Sequence, residues 1–145
     1  MSKLENVTDS LLALLGYIRY KFFRPAEQIT RARLSRGQFH AISILNSKGP
    51  LPMTELASEM KISKQQLTPL ICKLIDADMV VRSTDDNDRR IVRIEMTEIG
   101  RTAFKELGAE IKQYFRDKLR ALPEQDLEEL EQILTRTREI LKSVQ

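Results

Sequence analysis

Apolar residues recur at three- and four-residue spacing near the N-terminus, at Leu4, Val7, Leu11, Leu14, Leu15, Ile18 and Phe22, which predicts a helix with one apolar stripe. Pro25 lacks an N–H and disfavours helical geometry at Arg24, so a break or kink is expected there. Ser35-Arg36-Gly37-Gln38 has the form of a capping box and opens a short helix carrying Phe39, Ile42 and Leu45 inward, ended by Lys48-Gly49-Pro50. Thr54 to Met60 predicts a second short helix packing through Leu56, Ala57 and Met60. After the connector Lys61-Ile62, a second capping box, Ser63-Lys64-Gln65-Gln66, starts a helix that buries Leu67, Leu70, Ile71, Leu74 and Ile75.

The periodicity then changes from helical to alternating. Met79 to Thr84 and Arg90 to Met96 read as two strands around the polar turn Asp85-Asp86-Asn87-Asp88-Arg89, with Val92, Ile94 and Met96 on one face. Thr97 caps a long helix with Ile99, Ala103, Leu107, Ile111 and Phe115 on one side. Leu122-Pro123 stops it and starts a last helix, because Pro suits the first helical position. That helix carries Leu127, Leu130, Ile133, Leu134, Thr137, Leu141 and Val144, close to a heptad seam. Two short helices joined by a tight turn and followed by a β-hairpin make a winged helix-turn-helix. The expected fold is therefore mainly α with a small β-hairpin wing. The helices at the two chain ends have apolar faces that one small head cannot cover, and two-fold pairing would bury them, so they are read as dimerisation helices.

Composition narrows the chemistry. A chain of 145 residues, 41% hydrophobic and 31% charged, suits one ordinary globular domain. The single cysteine, Cys72, excludes an intramolecular disulfide framework and a cysteine-cluster zinc site, and the single histidine, His40, excludes multi-histidine metal sites. No metal cluster, phosphate loop or nucleophile–base pair is present, so neither enzyme chemistry nor a cofactor is expected. The N-terminus has no apolar signal core and no run of about 18 apolar residues occurs, so a cytoplasmic protein without membrane contact is expected. The net charge of +3 is unevenly placed. Arg19, Lys21, Arg24, Arg31, Arg33 and Arg36 face Glu27 alone, whereas the C-terminal stretch is rich in Glu and Asp. That asymmetry suggests an anionic partner such as nucleic acid at one end.

The stretch Asp88-Arg89-Arg90-Ile91-Val92-Arg93-Ile94-Glu95-Met96-Thr97-Glu98-Ile99-Gly100 resembles the D-x-R wing and the Leu-Thr-x-x-Gly helix start of the MarR family of transcription regulators, including its SlyA-like branch. Met96 stands where Leu is usual, a volume-conserving exchange. Leu34-Ser35-x-x-Gln38-Phe39 and Glu55-Leu56-Ala57 are similar to further family positions, and the resemblance covers nearly the whole chain. It implies one domain over 1–145, with a DNA-binding head at about 34–96 and a helical dimerisation region at about 1–30 and 97–145.

The residues themselves support a groove-reading helix. Opposite Leu67, Leu70 and Leu74 lie Gln65, Gln66, Pro69 and Lys73, with Thr68 and Cys72 at the edges. A helix fits the major groove of B-DNA, where Gln pairs bidentately with adenine and Thr methyls touch thymine methyls. Lys64 and Lys73 suit phosphates, which position without reading sequence. Arg90, near a wing tip, suits a narrow minor groove, and Asp88 would orient it through a charge-assisted hydrogen bond. Arg82 and Arg89 are further phosphate candidates. The expected DNA-contacting set is Ser63, Lys64, Gln65, Gln66, Thr68, Pro69, Lys73, Arg82, Asp88, Arg89 and Arg90.

Two positions depart from the family pattern. Pro69 forfeits the bond to the Gln65 carbonyl inside the recognition helix, where a local kink is expected. Asp78 replaces the usual helix-ending Gly and must tolerate left-handed geometry. Cys72 is either a small packing residue or an oxidant sensor on the recognition helix. By the resemblance, Tyr17, Arg19, Phe39 and His40 flank an effector pocket for a small aromatic or anionic ligand. The resulting expectation is a homodimeric, ligand-responsive repressor that binds a palindromic site in double-stranded DNA. Two alternatives stay open, a dimeric interaction protein that keeps the fold without sequence-specific DNA binding and a cysteine-based redox-responsive regulator.

Overall fold

A computed structural model describes residues 2–145. The first helix, α1 (Lys3–Ile18), starts at a Ser2 capping box, in which Ser2 Oγ accepts from the Glu5 N–H (3.2 Å) and the Glu5 carboxylate accepts from the Ser2 N–H (2.7 Å). Of the break or kink expected at Pro25, the break does not occur. A π turn over Arg19–Phe23 instead leads directly into α2 (Arg24–Arg31), with Phe23 and Arg24 still in right-handed helical geometry. Pro25 cannot donate to the carbonyl four residues back, and a π bulge, in which the Arg24 N–H reaches the Arg19 carbonyl, absorbs the mismatch without interrupting the helix.

The head consists of α3 (Arg36–Lys48), β1 (Leu51–Pro52), α4 (Met53–Met60), α5 (Lys64–Asp76), β2 (Val80–Thr84) and β3 (Val92–Met96). Both expected capping boxes are present, at Ser35–Gln38 and Ser63–Gln66. The core is built where the helical and alternating stripes converge: Ile42, Leu56, Leu67, Ile71, Leu74, Val80, Ile94 and Leu107 are all fully buried. On β3 the apolar face is buried at Ile94 and Met96 and emerges at Val92 towards the wing tip. The sheet has a third strand beyond the expected hairpin, in the order β1-β3-β2, with Leu51 opposite Ile94 and Pro52 opposite Arg93. Two residues carry no periodicity, and a Pro in a strand is confined to an edge, which is where β1 lies.

The end of α5 is a Schellman turn: the Met79 N–H reaches the Leu74 carbonyl and the Asp78 N–H the Ile75 carbonyl, both at 2.9 Å. Asp78 takes φ +58°, as its replacement of a helix-ending Gly requires. Left-handed geometry costs a residue with a Cβ about 1 kcal/mol. Asp78→Gly is therefore expected to raise stability by up to about 1 kcal/mol, less the extra chain entropy of Gly, in urea unfolding.

The next helix, α6 (Glu98–Leu119), is capped by Thr97, whose Oγ1 accepts from the Gly100 N–H at 3.0 Å and donates to the Asp78 carbonyl. Ile99, expected on the inner side, is 58% exposed, and Gly100 is buried instead. At 100° per residue Gly100 lies about 20° from the buried Leu107, whereas Ile99 lies about 80° away. The described residues form two compact units, one ending at Ile111 and the other over Lys112–Gln145. The second contains the end of α6 and α7 (Glu124–Leu141), entered through Pro123. Neither α1 nor α7 has a buried residue, and Leu4, Val7, Leu12, Ile133, Leu134 and Ile140 are all more than half exposed. Among the described residues no helix is long and apolar enough to cross a membrane.

Candidate nucleic-acid interface

The start of α5 and the wing enclose an open cleft of about 370 Å³. Lys64 and Thr68 line it from α5, Arg82 from β2, and Arg90, Ile91 and Val92 from the wing, while Pro52, Met53 and Thr54 close its third side. The geometry thus brings together four of the expected residues, Lys64, Thr68, Arg82 and Arg90. Three cations stand around partly apolar walls, an arrangement that attracts a polyanion with a groove to be filled. Pro52, Met53 and Thr54 were not foreseen. They reach the cleft because β1 pairs at the sheet edge and delivers the start of α4 beside the wing, a pairing that leaves no periodic signal.

On α5 the exposed face carries Lys64, Gln65, Thr68, Pro69, Cys72 and Lys73. The helix runs from Lys64 to Asp76 with Pro69 inside it, so the proline does not end it. One residue before it, the Thr68 hydroxyl donates to the Lys64 carbonyl, one turn back, at 2.9 Å. Ser63 and Gln66 are tied into their cap: Gln66 Oε1 accepts from the Ser63 N–H (3.0 Å) and hydroxyl (3.3 Å). The Gln66 amide is therefore turned back on the helix start, while Gln65 beside it is exposed. Cys72 is exposed, and the cation that reaches its sulfur is Arg82 on β2, at 3.8 Å.

The wing tip is organised by two carboxylates. Asp88 Oδ1 accepts from Arg90 Nε at 3.1 Å, and Oδ2 from its NH2 group at 3.2 Å. The same carboxylate accepts from the Arg90 backbone N–H at 3.0 Å. The Arg90 guanidinium, by this hydrogen bond, holds the Asp88 carboxyl below its ordinary value. Asp85 braces the turn from the other side, accepting from the Asn87 N–H (2.8 Å) and from Arg93 (2.7 Å). The backbone bond from Asn87 leads in lowering its pKa. Arg90 is 91% exposed at its side chain despite the pairing, so it is oriented rather than buried. Arg89 is exposed beside it.

The N-terminal basic run is partly neutralised. Arg36 and Arg31 both contact Glu27, at 2.8 and 3.3 Å, and Arg33 pairs with Glu106 and Glu110. Arg19 lines an open cavity of which Tyr17, Phe39 and His40 form no part. The Tyr17 hydroxyl accepts from Lys21 at 3.0 Å, Phe39 stacks on Phe104 at 6.0 Å, and His40 is exposed.

Residues 34–92 match the MarR family profile. The HTH-type transcriptional regulator YpoP of Bacillus subtilis is 31% identical over 88 residues, which span 61% of this chain and 62% of that protein. The chain thus matches about three fifths of the length of YpoP. A second B. subtilis HTH-type transcriptional regulator, YcgE, is 30% identical over 127 residues, covering 88% of this chain and 81% of that one. Among solved structures, a MarR family protein from Bacillus stearothermophilus superimposes with a TM-score of 0.74 at 22% identity, covering 99% of both chains, and so shares the fold.

Proposed function

The chain belongs to the MarR family, and on that premise we propose that it is a DNA-binding transcription regulator that acts as a homodimer on a palindromic operator in double-stranded DNA. The observation that carries this reading is the cleft in which Lys64, Thr68 and Arg82 meet an Arg90 already held in a bidentate pair by Asp88. In it α5 supplies the groove-filling helix, with Gln65 facing base edges and Lys64 and Lys73 facing phosphates. The wing supplies a cation for the adjacent minor groove. The exposed apolar faces of α1 and α7 support the homodimer, because two-fold pairing removes them from water.

A dimer fixes the distance between its two heads. A ligand that favours another spacing draws the population away from the DNA-fitting state, which is the proposed route to ligand response. A dimer lying across promoter DNA blocks other proteins from it, so repression is the proposed output. The reading is tested by selecting bound sequences from a randomised duplex library with the purified chain at near-physiological salt. Enrichment of a palindrome with half-site centres one turn, about 34–36 Å, apart is the expected result. Gln65→Ala should relax base preference at one position in each half-site. Salt-sensitive binding without any enriched sequence would remove sequence-specific regulation, and absence of duplex binding would leave a dimeric interaction protein.

A further inference from the structure

The buried side of α5 defines which of its residues face furthest outward. At 100° per residue, Pro69 lies about 40° and Cys72 about 20° from Gln65, while the fully buried Leu67 and Leu74 lie about 160° and 180° from it. Gln65, Pro69 and Cys72 are all exposed, so they form the outer ridge of the helix. Lys64 and Lys73 stand about 100° and 80° to its two sides. With a cation on either flank, the ridge suits the floor of a major groove whose two walls are phosphate backbones. Thr68, about 60° round on the Lys64 side, lines the cleft shared with Arg82 and Arg90.

The chemistry of this face is poor in donors and rich in carbon. Pro69 has no N–H and presents the methylenes of its ring. The Thr68 hydroxyl gives its hydrogen to the Lys64 carbonyl at 2.9 Å, so a methyl group and an oxygen acceptor remain for a partner. The Cys72 thiol is a weak donor, and Gln65 supplies the one side-chain amide of the ridge. Pro69 also carries a cost. Inside a helix proline is the least favourable residue, and this one is exposed, so the core gains nothing from it. What the ring offers is an apolar surface turned away from the head. In the major groove, thymine alone among the bases presents a methyl group, whereas a purine N7 or a cytosine amino group would be left unpaired against proline.

We propose that α5 recognises the 5-methyl group of a thymine through the Pro69 ring and the neighbouring Thr68 methyl, which makes these two residues determinants of sequence specificity beside Gln65. The proposal rests on the reading of the chain as a regulator that binds duplex DNA. Four residues of helix rise about 6 Å and each base pair about 3.4 Å, so the thymine falls within about two base pairs of the position read by Gln65.

The test uses the full chain and the palindromic duplex enriched from the randomised library, followed by fluorescence anisotropy. Each thymine is replaced in turn by deoxyuridine, which removes only the methyl group. One thymine per half-site, within about two base pairs of the position that Gln65→Ala relaxes, should lose about fourfold in affinity, the effect of uncovering one methyl group. Cytosine at that place, with guanine opposite, should bind more weakly, and 5-methylcytosine should recover part of the loss. Pro69→Gln, and Thr68→Ser, which keeps the hydroxyl, should each narrow the preference for thymine over uracil. Pro69→Gln should also raise the urea midpoint, because the helix regains an N–H donor, and this separates lost recognition from lost folding. Sequence-specific binding that is indifferent to deoxyuridine at every thymine would overturn the proposal and leave the regulator reading intact. An undiminished deoxyuridine effect in both folded variants would also overturn it, assigning the methyl contact to another element. Absence of duplex binding would overturn both readings.

Discussion

Gly100→Ala is expected to destabilise the chain by about 3 kcal/mol, at the upper end of the range for overpacking a site that cannot relax. An added Cβ would overlap the Met79 carbonyl oxygen and stand 2.9 Å from its carbonyl carbon. Both atoms are backbone, so no rotamer change relieves the clash. The Met79 carbonyl is moreover the acceptor of the Thr97 N–H at 3.0 Å, and Met79 itself donates to Leu74 to close the Schellman turn. Making room for one methyl group would lift α6 from the end of α5 and the start of β2 together. Gly108, two turns further along α6, is the matched control, because a Cβ there meets nothing within 4 Å. Gly108→Ala should gain roughly 0.5–1 kcal/mol from helix propensity. Urea unfolding of the two variants should therefore show midpoints moving in opposite directions from the parent. Equal shifts would mean that the Gly100 contact does not hold the junction.

That junction shows how far the sequence could be read. Helices with a long stripe or a capping box, such as those starting after Ser35 and Ser63, are legible because the signal is local: an oxygen, three residues, an amide. The hairpin is legible because its strands alternate and the turn between them is polar. The left-handed residue at Asp78 was marked by the family resemblance, because Asp stands there in place of the usual helix-ending Gly. What resisted reading depends on partners distant in sequence. Strand β1 exists only because Ile94 and Arg93 lie opposite Leu51 and Pro52. Pro25 carries a strong local signal, but whether it breaks a helix or bulges it depends on how the preceding turn can rearrange. Within the candidate interface, the pairing of Asp88 with Arg90 follows from a two-residue spacing in a turn. The engagement of Gln66 in its own cap was implicit in the same capping box that marked the helix start, and it competes with base contact. The approach of Arg82 to Cys72 and the neutralisation of Arg33 by Glu106 and Glu110 could come only from packing.

Arg90→Ala is expected to weaken duplex binding by about tenfold or more and to lower the salt slope by about one, while leaving unfolding nearly unchanged. The expected split between binding and stability follows from the geometry. The side chain is 91% exposed, so its removal leaves no cavity, and an exposed ion pair contributes little to folding. Its two hydrogen bonds to Asp88 nonetheless fix the guanidinium before any DNA arrives, which reduces the ordering cost on binding. Asp88 supplies the sign that separates orientation from simple charge. Removing a carboxylate near a phosphate backbone should strengthen binding if only net charge matters. If Asp88 acts by aiming Arg90, Asp88→Ala should weaken binding although the protein has become more positive. The pH dependence has the matching sign. Arg90 lowers the Asp88 pKa, so the pairing is fully present above the ordinary carboxylate pKa of about 4 and is lost only as pH falls through the lowered value. Between pH 5 and 8 the contribution of Arg90 to affinity should therefore be flat. Fluorescence anisotropy of the parent, Arg90→Ala and Asp88→Ala chains on one duplex, across salt and pH, measures all three effects. Tighter binding by Asp88→Ala would show that the wing acts through its charge alone.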